Sequence, residues 1–363
     1  MTILKPDVLV TGAWVRIEGE LIAEIGTGSA PVGEVVALDG ALLPGFVDIH
    51  CHGGGGHSFD DVSEVIAGAD FHLNHGTTTL IASLVSDSVA NQCDRLQYLA
   101  ELVRAGVIAG VHLEGPFLAS SKCGAQNPAV LVAPTAIAVE QLLAAAQGCL
   151  RQITIAPELP GAIEAIEEFT QAGVRVAIGH SAADATAASA AVDAGASLVT
   201  HLFNAMHPVH HREASLANVA LADPRLAVEV IADGVHVSDS ALQLAANAKG
   251  SALIAITDAI SAAGMPDGDY ELGGLSVSVA DSVARLAGTQ TLAGSTLTMD
   301  RAFSHLVDQV GLDLVAAAHA CASAPAAAIG LGDVGAIEVG RKADFVLWHN
   351  GLRQVWRAGR LAS

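Results

Sequence analysis

Short apolar segments of strand length alternate with longer segments of helical period through most of this 363-residue chain. The apolar segments are Leu42–His50, Thr77–Leu84, Val107–Glu114, Gln152–Glu158, Val174–His180, Ser197–His201, Leu226–Ala232 and Ala252–Asp258. Their near-continuous Val, Ile, Leu and Ala content is typical of strands in a parallel sheet that is covered on both faces. Eight such strand–helix units predict an α/β protein with a (β/α)8 TIM-type barrel.

The segments between these strands carry helix signals, and several are followed by a glycine that suits a helix C-cap. The predicted helices are Asn91–Ala105, Thr135–Gln147, Ala162–Ala172, Asp184–Ala194 and Asp239–Ala248, and the capping glycines are Gly76, Gly106, Gly148, Gly173, Gly195 and Gly250. The Ala-rich stretch Leu314–Leu331 is interrupted by His319 and Pro325, so it predicts a buried helix rather than a membrane span.

The two ends of the chain show a different pattern. Met1–Leu38 and Gly335–Leu361 contain short alternating strands separated by turn residues. Neither end has enough apolar surface for a core of its own, so we expect the two to form one small β-sandwich domain. The predicted division is residues 1–42 and 333–363 for this discontinuous β-domain and residues 43–332 for the barrel.

Charge and cysteine usage exclude several classes of protein. The formal net charge is −21, and no Lys/Arg cluster is present, which argues against nucleic acid and anionic membranes as partners. Met1–Leu9 lacks the basic and apolar regions of a signal peptide. The five cysteines are odd in number and widely spaced, without a CxxC pair, so we expect a cytoplasmic protein without a disulfide framework.

Five of the predicted strands end in residues that can bind a divalent metal, and barrels of this type carry their active sites at those strand ends. The candidate metal ligands are His50, His52, Glu114, His180, His201 and Asp258. His50 and His52 point the same way because they are two residues apart on one strand. Imidazole and carboxylate ligands suit Zn²⁺, Fe²⁺, Mn²⁺ or Co²⁺. The donors suffice for one ion, or for two ions bridged by Glu114.

Asp258 has two possible roles. It could be a metal ligand only, or it could also be the general base that takes a proton from water and passes it to a leaving amine. We favour the acid/base role, because a carboxylate beside an activated water is well suited to that transfer.

With these residues in place, the sequence resembles the amidohydrolase superfamily and, within it, the N-acetylglucosamine-6-phosphate deacetylases. The matching segments are PGFVDIHCHGGGG (44–56), HLEGPFL (112–118), GHSAADA (179–185), THLFNAM (200–206), HHRE (210–213), ADGVHV (232–237), ITDAI (256–260) and LAGS (292–295). The resemblance implies hydrolysis of the acetamide of N-acetyl-D-glucosamine 6-phosphate to D-glucosamine 6-phosphate and acetate. It also implies Zn²⁺ as the first choice of metal and a homodimer in which an arginine reaches the phosphate of the partner subunit's substrate.

The resemblance also implies individual roles. Glu114, His180 and His201 match the principal metal ligands of the family, His50 and His52 match a pair that some members lack, and Asp258 matches the catalytic acid/base. The implied substrate contacts are Ala125, Gln126, Asn204, Ala205, Arg212, His236, Leu292, Ala293 and Gly294. Arg212 also offers a planar donor that suits phosphate oxygens.

The loop after HLEGPFL departs from the family pattern. The family commonly has Lys-Lys-Gly-x-His, whereas this chain has Lys122-Cys123-Gly124-Ala125-Gln126. Gln126 therefore stands where a histidine would polarise the acetyl carbonyl, and an amide can donate a hydrogen bond there but cannot carry a positive charge. Cys123 is either a plain surface thiol or a loop regulator whose modification affects the substrate site.

Three other functions remain open at this point. The same chemistry could act on N-acetylgalactosamine 6-phosphate, since no motif determines the orientation of one sugar hydroxyl. A cyclic-amide hydrolase or deaminase of the same superfamily is a second alternative, which HHRE and LAGS disfavour. A non-catalytic amidohydrolase-like binding protein is the third, and the presence of all the proposed ligands argues against it.

Overall fold

The computed structural model describes residues 1–5 and 8–362. Within these residues, eight parallel strands form a sheet in which neighbours follow chain order. They are Phe46–Cys51, Thr77–Leu84, Gly110–Glu114, Leu150–Ile155, Arg175–Ile178, Leu198–Val199, Ala227–Ile231 and Leu253–Ile256. The Asp258 N–H donates to the His50 carbonyl (2.8 Å) and the His52 N–H to the Ala259 carbonyl (2.7 Å), which joins the last strand to the first. The predicted (β/α)8 barrel is confirmed.

Helices cover the outside of the barrel. Their bounds are Val65–Asn74, Val89–Arg104, Ala136–Ala146, Ala162–Gln171, Ala185–Asp193, Leu216–Ala222, Asp239–Lys249 and Met299–Asp308. Ser88, Thr135 and Asp184 cap their helices by accepting a backbone N–H with the side-chain oxygen. The predicted capping glycines all have positive φ, from 52° at Gly250 to 116° at Gly195, a backbone conformation that glycine adopts without a steric penalty.

Apolar periodicity explains how these elements pack. Every residue of the strand Thr77–Leu84 is buried, as expected for a strand that has the barrel interior on one face and helices on the other. The helix Ala162–Gln171 buries Ala165, Ile166 and Phe169, which lie on one face at helical spacing. Each large apolar side chain removed from water in this way contributes about 1.5–3 kcal/mol.

One predicted strand is two strands in the structure. Leu42–His50 divides at Gly45 into Ala41–Pro44, which joins the terminal sheet, and Phe46–Cys51, which begins the barrel. Both halves are rich in apolar residues and mostly buried, so the composition gives no sign of the change of sheet. A Cβ on Gly45 would lie 2.2 Å from the Thr78 hydroxyl oxygen. This close approach of the backbone to the second barrel strand requires glycine.

The two chain ends meet in one sheet, which confirms the predicted β-sandwich built from both termini. Its strands are Thr2–Lys5, Val8–Thr11, Ala41–Pro44, Phe345–Trp348, Leu352–Arg357 and Arg360–Leu361. The hairpin Ala13–Glu18 and Leu21–Thr27 packs against this sheet, and Ile3, Ile22 and Phe345 belong to the shared core. The domain division at 42/43 and 332/333 stays a prediction.

An additional small sheet follows the last barrel strand, and the sequence reasoning missed it. Its strands, Gly268–Leu272, Leu275–Ala280 and Val283–Leu286, are antiparallel. The signal was present in the alternation SVSV and in the turn at Gly273-Gly274. Val277 and Val279 pack against Ile260, so this inserted sheet (268–286) is fixed beside the end of the last barrel strand.

The Ala-rich C-terminal stretch is a buried helix, as predicted, with an irregular centre. Leu314–Ala318 and Ala324–Ala328 are α-helical, and a wider π-helical turn, His319–Ser323, joins them. Across the described part of the chain, none of the helices combines the length and the apolar character needed to cross a bilayer.

Candidate metal centre

The six predicted metal ligands converge at one end of the barrel, although their strands are far apart in the sequence. His180, His201 and Asp258 each lie two residues beyond the end of a strand and have positive φ values of 47°, 28° and 48°. Residues other than glycine seldom adopt this conformation, and it is concentrated at functional sites. In each case the turn directs the side chain into the mouth of the barrel.

The ligands form two groups, His50/His52/Asp258 and Glu114/His180/His201, and the potential ligand atoms of each group lie within 4.8 Å of one another. His180 Nε2 and His201 Nε2 both lie 3.1 Å from Glu114 Oε1. His52 Nε2 is 3.2 Å from Glu114 Oε2. Glu114 therefore contacts both groups and has the position of a bridging carboxylate.

Hydrogen bonds alone do not explain the short distances between the imidazole nitrogens. His50 Nε2 and His52 Nε2 are 3.1 Å apart, and His180 Nε2 and His201 Nε2 are 3.0 Å apart. Two neutral imidazoles can share one proton at such a contact, but each pair also faces a carboxylate that accepts only. A divalent cation between nitrogen and oxygen donors satisfies all these atoms at once, so the donor set fits one or two divalent ions.

The electrostatics of the centre also favour bound cations. Burial alone would lower the pKa of His50, but Glu114 and Asp258 raise it well above its ordinary value. Burial likewise opposes protonation of His52, yet the same carboxylates raise its pKa to about 9. Burial would raise the pKa of Glu114, and the surrounding histidines hold it well below its usual range. The carboxylates thus attract positive charge, which protons or metal ions can supply in competition.

The ligand His180 is fixed in the orientation that metal binding needs. Its Nδ1 donates to the Lys122 carbonyl (2.8 Å), which leaves Nε2 facing Glu114. A hydrogen bond of this kind selects the tautomer and orientation of a metal-binding histidine. The loop that includes Cys123 therefore positions a ligand through its backbone.

A cavity of about 340 Å³ opens above the two groups. Its lining includes His52, Glu114, Gly124, Ala125, Gln126, His180, His201, Asn204, Ala205, Ile231, His236, Asp258, Leu272, Gln290, Thr291, Leu292 and Gly294. Larger cavities lie elsewhere on the molecule, but this one contains the candidate ligands. A cleft with a few convergent polar groups is the usual form of a small-molecule site.

Most of the predicted substrate contacts line this cavity, but four predicted site residues do not. Ala293 is fully buried beside the inserted sheet. His50 is also fully buried, behind His52. Arg212 lies on an exposed loop, and Cys123 is partly exposed beside the cavity lining.

Five cavity residues were not among the predicted site residues: Gly124, Ile231, Leu272, Gln290 and Thr291. Leu272 comes from the inserted sheet, and Gln290 and Thr291 precede the LAGS turn. The signal for the last two was their place next to that turn. Leu272 carried no chemical signal, because an apolar residue in a strand is normally assigned to packing.

Both polar atoms of the Gln126 amide form hydrogen bonds. Its Nε2 donates to Glu114 Oε2, and its Oε1 accepts from the Ser86 N–H at 2.7 Å. The side chain therefore supports the carboxylate that joins the two groups. One further amide hydrogen remains for an acceptor in the cavity, because a primary amide carries two donors.

His236 is oriented by the residue three positions before it. Asp233 Oδ2 accepts from His236 Nδ1 at 2.7 Å, and Asp233 Oδ1 accepts from the backbone N–H of His236 at 2.9 Å. Burial would raise the pKa of Asp233, but its bonds to His236 lower it. These contacts place the proton of the neutral ring on Nδ1, so His236, which lines the cavity, has Nε2 free to accept a hydrogen bond from a substrate hydroxyl.

Comparisons with known proteins agree on one family. A family model described as the amidohydrolase family matches residues 41–362. The N-acetylgalactosamine-6-phosphate deacetylase of Escherichia coli O157:H7 is 36% identical over 331 residues, which cover 89% of this chain and 88% of that protein. The human N-acetylglucosamine-6-phosphate deacetylase is 36% identical and covers 86% and 80% of the two chains.

Solved structures give the same result. The N-acetyl-D-glucosamine-6-phosphate deacetylase of Mycobacterium smegmatis is similar with a TM-score of 0.96 and 39% identity, and the match covers 99% of this chain and 98% of that chain. The N-acetylglucosamine-6-phosphate deacetylase of Thermotoga maritima has a TM-score of 0.91 at 28% identity, with 100% and 98% of the two chains covered.

Proposed function

This chain belongs to the amidohydrolase family, and from that premise we propose that it hydrolyses N-acetyl-D-glucosamine 6-phosphate to D-glucosamine 6-phosphate and acetate. The observation that carries the proposal is the convergence of four histidines and two carboxylates from five barrel strands at one end of the barrel, where all except His50 line one cavity. Relatives and solved structures named as deacetylases of phosphorylated amino sugars supply the substrate class.

We assign the two ligand groups to divalent metal ions, with Zn²⁺ as the first choice and Fe²⁺, Mn²⁺ or Co²⁺ as alternatives. Glu114, His180 and His201 would hold one ion, and His50, His52 and Asp258 would hold a second, with Glu114 shared. A bound divalent ion lowers the pKa of a water molecule and polarises a carbonyl oxygen.

Asp258 is the proposed general base and acid. Its Oδ1 lies 3.4 Å from both His50 Nε2 and His52 Nε2, and its side chain lines the cavity. Burial would raise its pKa, but the neighbouring histidines lower it, so the carboxylate is ionised and can accept a proton at neutral pH. Asp258 takes a proton from the attacking water and returns it to the sugar nitrogen as the C–N bond breaks.

The other cavity residues would position the sugar and the acetyl group. Gln126 would donate its free amide hydrogen to the acetyl oxygen, and His236 would contact the sugar phosphate region of the substrate. Asn204, Ala205 and the turn Leu292–Gly294 would contact the sugar. These roles follow the resemblance, and the lining of the cavity supports each of them except that of Ala293.

The phosphate requires a cation that the cavity does not supply. Among the described residues, its lining contains neither lysine nor arginine. We propose that the protein is a homodimer and that Arg212, on the exposed loop after His207, reaches the phosphate of the substrate bound to the partner subunit. Cys123 stays a candidate regulator of the loop 122–126, to which it belongs. We place the reaction in the cytoplasm, where phosphorylated sugars are metabolised.

The galactosamine substrate is a specific second candidate, because one relative at 36% identity is named for it. The geometry of the metal centre does not distinguish the two sugars, which differ in one hydroxyl orientation. A cyclic-amide hydrolase is disfavoured by the names of the similar proteins, and a non-catalytic binding protein by the complete set of ligands.

Release of the free amine tests the proposal. N-acetylglucosamine 6-phosphate, N-acetylgalactosamine 6-phosphate and unphosphorylated N-acetylglucosamine are compared as substrates, with metal content determined on the same preparation. We expect turnover of the glucosamine phosphate at a kcat/KM well above that of the other two. A metal-loaded protein that releases amine from none of them would contradict the assigned substrate.

Asp258→Asn provides the matched test of mechanism. It keeps the size of the side chain and removes the basic oxygen, so we expect kcat to fall by about 10³-fold or more while substrate binding persists. Near-normal kcat in this variant would exclude Asp258 as the acid/base.

A further inference from the structure

Glu229 is a buried carboxylate that the proposed reaction does not use. It lies on the barrel strand Ala227–Ile231, its side chain is completely buried, and it is absent from the cavity lining. Burying a carboxylate costs several kcal/mol unless its oxygens are well bonded. The hydrogen bonds that Glu229 makes with its neighbours must therefore offset this cost.

The Glu229 carboxylate contacts one histidine ring and two N–H donors. Oε2 lies 3.0 Å from His50 Nδ1 and accepts from the His201 N–H at 3.3 Å. Oε1 accepts from Gln152 Nε2 at 2.6 Å. Since an ionised carboxylate can only accept, a neutral His50 ring must carry its proton on Nδ1.

This tautomer is the one that metal binding requires. With the proton on Nδ1, His50 Nε2 presents a lone pair toward His52, Glu114 and Asp258. Among the described residues, His52 Nδ1 and His201 Nδ1 have no hydrogen-bond partner, and His180 Nδ1 bonds to a neutral carbonyl. His50 is therefore the candidate ligand whose ring is held by a charged partner.

The carboxylate also adds charge where a second cation would need it. Glu114 and Asp258 contribute two negative charges to the centre, and a pair of divalent ions brings four positive charges. Glu229 adds a third negative charge next to His50, and its contact with the His201 backbone links the two ligand groups. A carboxylate behind a ligating histidine typically raises metal affinity 10- to 100-fold.

From these contacts we infer that Glu229 is a positioning residue for the second metal ion, the one held by His50, His52 and Asp258. It sets the tautomer of His50 and supplies charge that makes occupation of this group favourable. The inference rests on the metal centre of the proposed function and not on its substrate.

Two substitutions separate the two contributions. In Glu229→Gln the new amide oxygen can still accept a hydrogen bond from His50. The new NH₂ group can donate to Gln152 Oε1 if the Gln152 amide rotates by half a turn. This rotation breaks no other hydrogen bond of Gln152 Oε1, because that atom has no partner among the described residues. This variant keeps the tautomer and removes the charge. Glu229→Met has similar size and removes both. Glu158→Gln is the matched control, because Glu158 bonds Ser181 and Ala182 instead of a ligand side chain.

The measurement is the number and affinity of Zn²⁺ ions per chain, by elemental analysis after dialysis and by chelator competition. We expect two ions in the wild-type chain and in Glu158→Gln. In Glu229→Gln the weaker ion should bind about 10- to 100-fold less tightly, and in Glu229→Met one ion should remain, with the stronger affinity changed less than about threefold.

Two results would overturn the inference. One is a Glu229→Gln or Glu229→Met chain that holds two ions with wild-type affinity. The other is equal weakening of both ions together with a lower Tm of the metal-free protein, which would show a general structural role. A wild-type chain that binds two ions and a Glu229→Met chain that keeps only one, with no amine released from any amino sugar, would contradict the proposed substrate and would support this inference.

Discussion

At the residue scale, the candidate centre shows how buried polar side chains depend on one another. Glu114 contacts both ligand groups, and Gln126 donates to its second oxygen. His236 takes its orientation from Asp233. A partly satisfied network of this kind is costly, so changes at the supporting residues should affect function through the residues they hold.

One prediction at the residue scale concerns Gln126. Gln126→Ala removes the donor to Glu114 and the hydrogen available to the acetyl oxygen, so we expect kcat/KM to fall by about 10- to 100-fold, somewhat less than for loss of a dedicated oxyanion donor. Gln126→Glu should be worse, because it places a second carboxylate against Glu114. Steady-state kinetics with the phosphorylated sugar measure both.

The adjacent residue provides the control for Gln126. Asn127 bonds the Ala129 N–H and lies outside the lining of the substrate cavity. Asn127→Ala should therefore retain wild-type kinetics. An unchanged kcat/KM in Gln126→Ala would mean that this amide neither polarises the substrate nor supports Glu114.

At the element scale, histidine–aspartate pairs join helices that pack side by side around the barrel. His75, at the end of the helix Val65–Asn74, lies 3.2 Å from Asp300 in the helix Met299–Asp308. His305 of the latter helix lies 2.8 Å from Asp239, the first residue of the helix Asp239–Lys249. Both histidines lie outside the cavity lining.

The Asp300 pair gives a pH-dependent prediction. Burial would raise the pKa of Asp300, but bonds from His75 and Thr298 lower it. A carboxyl whose pKa is lower in the folded chain stabilises the fold above its unfolded pKa of about 3.9 and loses this contribution as the pH falls through its folded pKa. We therefore expect Asp300→Asn to destabilise the protein by about 1 kcal/mol at pH 6 and by less than half of that at pH 3.

Chemical denaturation of both proteins across this range measures the difference. Loss of metal at low pH affects wild type and variant alike, so it cancels. Asp308→Asn, at an exposed position of the same helix, should show a small difference at every pH. A gap between wild type and Asp300→Asn that stays constant down to pH 3 would refute the assigned role of the pair.

At the scale of the whole molecule, the distribution of charge is the notable property. The chain carries a formal charge of −21, and the cavity lining lacks lysine and arginine among the described residues. An anionic substrate therefore needs a cation from outside the cavity. Closed symmetric dimers can supply one by placing a loop of each subunit at the site of the other.

Mixing of two inactive variants tests this arrangement. Asp258→Asn lacks the base, and Arg212→Ala lacks the proposed phosphate contact. If Arg212 acts on the partner subunit's substrate, one site of each mixed dimer has both residues intact. Random exchange of subunits should then restore about a quarter of wild-type activity, because half of the dimers are mixed and each has one complete site.

The same mixture distinguishes action across the dimer from action within one chain. If Arg212 serves its own chain, or if the chains do not associate, the mixture should have no more activity than the average of the two variants. Light scattering of the wild-type protein gives the oligomeric state independently, and a monomeric mass would contradict the proposed dimer.

The sequence by itself determined the barrel, the sandwich of the two chain ends and the six candidate ligands. These features leave local signals, since buried parallel strands are continuous apolar runs and barrel sites occur where such runs end. His180, His201 and Asp258 could be selected for that reason before their convergence was known. The position of Gly45, where one apolar run serves two sheets, left no comparable signal.

Only the tertiary structure decided how the ligands are supported and what surrounds the cavity. Glu229 lies in the middle of an apolar strand, 179 residues from the His50 ring that it contacts. Leu272 reaches the cavity from the inserted sheet. Local patterns report which way a side chain faces along its own element, whereas contacts between distant elements depend on how the whole barrel closes. The partners that orient a metal ligand therefore become visible when the folded chain brings them together.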